Sequence, residues 1–97
     1  MLIAALLLPL CARAEDMVGE EAYRACLALA RGKPEEGFER AANMLAMRAG
    51  APARHCLAVA LIGRGRYPEA AHALEQVADE ARDESLRVEA LAQAGNV

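Results

Sequence analysis

Cys26, His55 and Cys56 are the residues through which this chain could do covalent chemistry. His55 directly precedes Cys56, and a Cys–His nucleophile requires the imidazole to reach the thiol while a third group orients it. Adjacent residues on a helix point about 100° apart. Cys56 falls on the apolar row of its segment and His55 beside it, so the pair reads as one buried thiol and one exposed imidazole. Thiol-dependent activity through Cys56 and His55 is thus the lesser alternative. His72, the only other histidine, stands among alanines without a companion at ligand spacing. With no CxxC or HxxxH pattern, neither a metal nor another cofactor is expected. Gly63-Arg64-Gly65 lacks the flanking residues and strand context of a phosphate cradle. Glu35 with Glu36, and Asp83 with Glu84, resemble paired carboxylates, but they stand at predicted helix starts, where acidic side chains favour the helix dipole. No residue is assigned a catalytic role.

The elements that must position these residues are helices. The chain has 97 residues, 56% hydrophobic and only 3% aromatic. Its apolar content is mostly Ala and Leu, which suits closely packed helices better than sheets. At this length one core is expected. The net charge of −3 supplies no large positive field, and the arginines are scattered among acidic residues, so nucleic acid is not expected as a partner.

Leu2 to Leu10 form an apolar run too short to span a bilayer, followed by the small-x-small triplet Ala12-Arg13-Ala14. Residues 1–14 are expected to be a signal peptide, with the mature chain starting near Glu15. A lipid anchor on Cys11 is disfavoured by Leu10, because that motif wants a small residue there. The expected location is periplasmic or secreted, with no stable membrane span once the signal is removed.

Apolar residues then recur at helical spacing. The first row is Ala22, Ala25, Cys26 and Leu29, and Arg31-Gly32-Lys33-Pro34 ends it. Pro34 opens a second helix with Phe38, Ala41, Ala42, Leu45 and Ala49, which Gly50-Ala51-Pro52 closes. The third carries Ala53, Cys56, Leu57, Ala60 and Leu61 and stops at Gly63-Arg64-Gly65. The fourth carries Tyr67, Ala70, Ala71, Leu74, Val77 and Ala78. Asp83 is placed to cap a fifth, with Val88, Leu91, Ala92 and Gly95. Short links force neighbouring helices to run antiparallel. The predicted fold is all-α, antiparallel hairpins stacked as a short solenoid.

Internal repetition agrees. Cys26-Leu27-Ala28-Leu29-Ala30 recurs as Cys56-Leu57-Ala58-Val59-Ala60, and Gly32-Lys33-Pro34-Glu35 as Gly65-Arg66-Tyr67-Pro68-Glu69. The second offset exceeds the first, which predicts a first helix about one turn shorter than the third.

Ala58, Gly65, Tyr67, Ala70, Leu74 and Val77 fall at the spacings of the tetratricopeptide repeat, which the segment from about residue 18 to 97 resembles over some two and a half repeats. The first copy departs from the pattern, with Pro34 where the aromatic belongs. Arg54 and Arg82 replace the family's Trp and closing Pro. Ala58 and Ala70 are expected to let backbones approach, Gly65 to relieve the turn, and Tyr67 and Leu74 to fill the space between hairpins. The resemblance implies a non-catalytic scaffold for protein–protein interaction in the cell envelope. Its groove would lie on the first helices of the repeats, at Leu29, His55, Val59 and Ile62, and would take a protein or peptide. An alternative is an accessory N-terminal module of a larger envelope enzyme or assembly factor, since the last half-repeat implies continuation past Val97. Cys26 and Cys56 would lie on adjacent first helices. Two readings stay open: a disulfide stabilising by roughly 3.5 kcal/mol on the chain-entropy model, or two buried free thiols acting as small apolar residues.

Overall fold

A computed structural model describes residues 19–97. The expected signal peptide at 1–14 and Cys11 lie outside the described residues. Five helices follow one another: α1 Glu20–Gly32, α2 Pro34–Ala46, α3 Ala51–Gly63, α4 Tyr67–Glu80 and α5 Glu84–Asn96. The fold is all-α, and among the described residues there is no strand. Each helix packs on the next along the chain, and α1 also packs on α3.

Local sequence explains the boundaries. Proline occupies the first turn of α2, α3 and α4, where its missing N–H costs no helical hydrogen bond. At α5 the Asp83 carboxylate accepts from the Ser85 backbone N–H at 2.9 Å, as a cap at that position should. The α3–α4 turn closes through Gly65 at φ +74°, with the Arg66 N–H donating to the Leu61 carbonyl at 2.9 Å. The α2–α3 turn makes the equivalent bond, Ala49 N–H to the Met44 carbonyl at 3.0 Å, but puts Arg48 in the left-handed position at φ 62°.

The unequal repeat offsets have a different origin from the one expected. α1 and α3 are both 13 residues long. What the first repeat lacks is turn: Lys33 alone links α1 to α2, whereas residues 64–66 link α3 to α4. The tight corner brings the backbones of α1 and α2 together, and a Cβ built on Gly37 would lie 2.3 Å from the Ala30 Cα. Nothing larger than glycine fits there.

The core forms two clusters. One gathers Ala22, Cys26, Ala30, Ala41, Met44, Ala53, Cys56 and Ala60 from α1, α2 and α3. The other gathers α3, α4 and α5 around Ala58, Leu61, Ala70, Leu74, Val77, Leu86 and Ala90. Phe38 and Leu57 pack against both and join them. α3 contributes to each cluster and is therefore covered on opposite sides. Where the repeat family has Trp, Arg54 instead ties α3 to α4 through the Glu80 carboxylate at 2.7 Å. Arg64 pairs with Glu35 at 3.0 Å and lays its guanidinium 4.8 Å from the centre of the Phe38 ring.

Some rows are rotated from their expected phase. On α1 the buried residues are Ala22, Cys26 and Ala30, with Ala25 exposed; on α2 Met44 is buried and Ala42 exposed. The largest departure is α5, where Leu86 and Ala90 are buried but Val88 and Leu91 are 56% and 49% exposed. α5 meets its neighbours along the edge that carries Leu86 and Ala90, and the more apolar row faces away from them. Tyr67 was expected between the hairpins but is 53% exposed. It is the first residue of α4, beside a cleft that none of the described helices covers.

Candidate functional site

α3 runs between α1 and α5; its Pro52 and Ile62 line two clefts that together form a groove, and His55 is buried between them. His55 sits at the centre and is fully buried. This corrects the expectation of an exposed imidazole: α3 is covered from two sides, so a position beside its main core row still lies inside. The Tyr23 hydroxyl from α1 is 2.6 Å from His55 Nδ1, and the Gln93 Oε1 from α5 is 2.7 Å from Nε2. An amide oxygen only accepts, so Nε2 carries the hydrogen and donates to it, which leaves Nδ1 to accept from the Tyr23 O–H. One imidazole thereby ties together three helices.

Tyr23 is suited to that donor role. Burial first, and then the carboxylates of Glu89 and Glu20, push its pKa up to about 12, which keeps the hydroxyl protonated. Its ring lies against His55 at 5.8 Å between centroids, tilted by 50°.

A cleft opens on each side of this hydrogen-bonded chain. The smaller, 210 Å³, is lined by Glu20 and Tyr23 of α1, Pro52 of α3, and Asp83, Ser85, Leu86 and Glu89 at the start of α5. The larger, 510 Å³, is lined by Ile62, Tyr67, Gln93, Asn96 and Val97. Tyr23 borders the first and Gln93 the second, so the clefts are separated by little more than the imidazole. Ser85, Glu89, Gln93 and Asn96 recur every three or four residues, which sets them in one polar row along the α5 wall.

Of the groove residues expected from sequence, Ile62 lines the larger cleft, while His55 lines neither and lies buried between them. Val59 is half-buried and packs against the cluster around Cys26 and Cys56. Leu29 is half-buried and lines neither cleft. Tyr23, Glu89, Gln93 and Asn96 were missed. The signal for the last three was the polar row on α5, which lay outside a reading based on apolar spacing.

Cys26 and Cys56 are bonded to each other, with Cα atoms 6.1 Å apart, inside the limit of about 7 Å that a bridge tolerates. Both are fully buried. With the Cys56 sulfur bonded and both His55 nitrogens engaged elsewhere, the two side chains do not form a nucleophile and base pair. Ala58, Ala70, Leu74 and Val77 are all fully buried. Glu35 and Glu84 stand in the first turns of α2 and α5 and pair with Arg64 and Arg87. His72 is exposed. Among the described residues, no group of three or more His, Cys, Asp or Glu is placed to hold a metal, and no helix is long and apolar enough to cross a membrane.

Comparison with protein families, curated proteins and solved structures gives no match to this chain.

Proposed function

We propose that this protein is a tetratricopeptide-like, non-catalytic scaffold that binds a protein or peptide partner in the cell envelope. The observation that carries the reading is the pair of clefts along α3, one walled by α1 and α5 and the other by α4 and α5, on either side of a buried histidine engaged on both nitrogens. Such a site offers shape and hydrogen-bonding side chains without a free nucleophile, which is what recognition requires. The spacing of Ala58, Gly65, Ala70, Leu74 and Val77 supports the family likeness.

Export rests on two supports. The N-terminal run reads as a signal peptide, and a buried disulfide belongs to an oxidising compartment. Selection of short peptides from an unbiased displayed library on the immobilised, oxidised protein tests the binding role. A recurring motif is expected, with binding lost in Tyr67→Glu while helicity by circular dichroism is unchanged. Failure to enrich any motif, or binding indifferent to Tyr67→Glu and Ile62→Glu alike, would remove the proposal.

A further inference from the structure

The groove specifies more of its occupant than that it is a peptide. Resting on the scaffold reading, we infer that it takes a short extended segment with a lysine or arginine at the Pro52 end and an apolar side chain at the Ile62 end. Length comes first. From Pro52 to Ile62 the α3 axis advances about 15 Å at 1.5 Å per residue, a span that an extended chain covers in about four or five residues at 3.3 Å each.

Charge sets the direction. Glu20, Asp83 and Glu89 all line the smaller cleft, and among the described residues no basic side chain lines it. Glu20 reaches Arg24 only through an exposed contact of 3.3 Å, Asp83 is committed to Ser85, and among the described residues Glu89 makes no ion pair. The cleft thus carries carboxylates from α1 and α5 facing one another across α3, an arrangement that a cationic side chain relieves. The opposite cleft changes character: Ile62, Tyr67 and Val97 supply apolar surface, and Tyr67 is largely uncovered. The same cleft carries the amides of Gln93 and Asn96: Asn96 can donate to and accept from a peptide backbone, while Gln93, whose Oε1 accepts from His55, offers its N–H groups. Glu89, Gln93 and Asn96 occupy one row of α5, so the acidic cleft and the cleft that combines amides with apolar surface follow one another along a single line. An acidic segment is rejected by the same carboxylates.

Four acetylated, amidated, dye-labelled peptides test this by fluorescence anisotropy on the oxidised protein: Lys-Ala-Ala-Leu, Glu-Ala-Ala-Leu, Leu-Ala-Ala-Lys and Lys-Ala-Ala-Ser. The first is expected to bind best, weakened about fivefold by Glu89→Gln and further by rising salt, as for a partly exposed charge pair. The second and fourth are expected to bind at least about fivefold more weakly, each having lost one of the two anchors, whereas the third keeps both when it lies in the opposite chain direction and is expected to bind within about fivefold of the first. Circular dichroism of Glu89→Gln must match the parent, and Glu89→Asp should retain part of the affinity. Equal binding of the first two peptides, or indifference to Glu89→Gln, overturns the inference. An unbiased library that selects an acidic or uncharged motif sensitive to Tyr67→Glu overturns it as well, while leaving the scaffold reading intact. A library that selects nothing removes both.

Discussion

Tyr23→Phe deletes one oxygen and no packing volume, so its cost isolates the hydrogen bond to His55. In the parent, the Tyr23 hydroxyl lies 2.6 Å from a ring nitrogen of a residue with no solvent exposure. Without the hydroxyl, Nδ1 is a buried acceptor with no donor. An exchanged hydrogen bond alone is worth about 1 kcal/mol, and an orphaned buried group costs about 1–3 kcal/mol. The tyrosine is only half-buried, so water can reach part of its edge, which places the expected loss at about 1.5 kcal/mol. For a domain of this size that is a fall in Tm of roughly 6–12 °C. His55→Phe supplies the control. In that background neither variant contains the hydrogen bond, so adding Tyr23→Phe should cost little, and the coupling energy of the cycle should be about 1–2 kcal/mol. Thermal and urea melts followed by circular dichroism at pH 7, with the disulfide intact, give all four corners. A Tyr23→Phe cost below about 0.3 kcal/mol in both backgrounds would refute the idea that this contact holds α1 on α3.

Reducing the Cys26–Cys56 bond, or replacing both residues by Ala, should destabilise by roughly 3–4 kcal/mol on the chain-entropy account of a 30-residue loop, read from urea midpoints with and without reductant. Arg48→Gly should stabilise by about 0.5–1 kcal/mol, because Arg48 holds a left-handed φ of 62° that glycine adopts without strain; a lower Tm in that variant would contradict it. Stability should also fall at high pH. The Tyr23 pKa is raised from 10.0 to about 12, so the folded state holds that proton more tightly, and the contribution is complete below pH 10 and lost as pH climbs towards 12. Urea melts across that range should show a shallower decline in Tyr23→Phe.

The helices themselves were legible because their punctuation is local. Pro34, Pro52 and Pro68 can stand only near helix starts, Gly65 answers a left-handed turn, and Asp83 caps α5 as expected. Ala58, Ala70, Leu74 and Val77 were placed correctly in the core because both faces of the α3–α4 hairpin obey one spacing rule. What failed was whatever depends on a third helix. His55 stood beside the main apolar row of α3, and only the convergence of α1 and α5 buries it. Val88 and Leu91 formed the most apolar row of α5, yet α5 packs through Leu86 and Ala90, and periodicity within one helix does not say which neighbour it meets. The repeat offset reported a shortfall in the total count from helix to helix, and that count does not distinguish a lost turn of helix from the lost loop at Lys33.

Phe38 and Leu57 each belong to both halves of the interior, and this has a bearing on how the molecule comes apart. In a linear pile of repeats, an end unit can peel away while the rest stays folded, since each interface is private to two neighbours. Here a shared phenyl ring and a shared isobutyl group make the first hairpin's detachment open the second hairpin's interior to water. Fraying is thereby converted into a single concerted loss of structure.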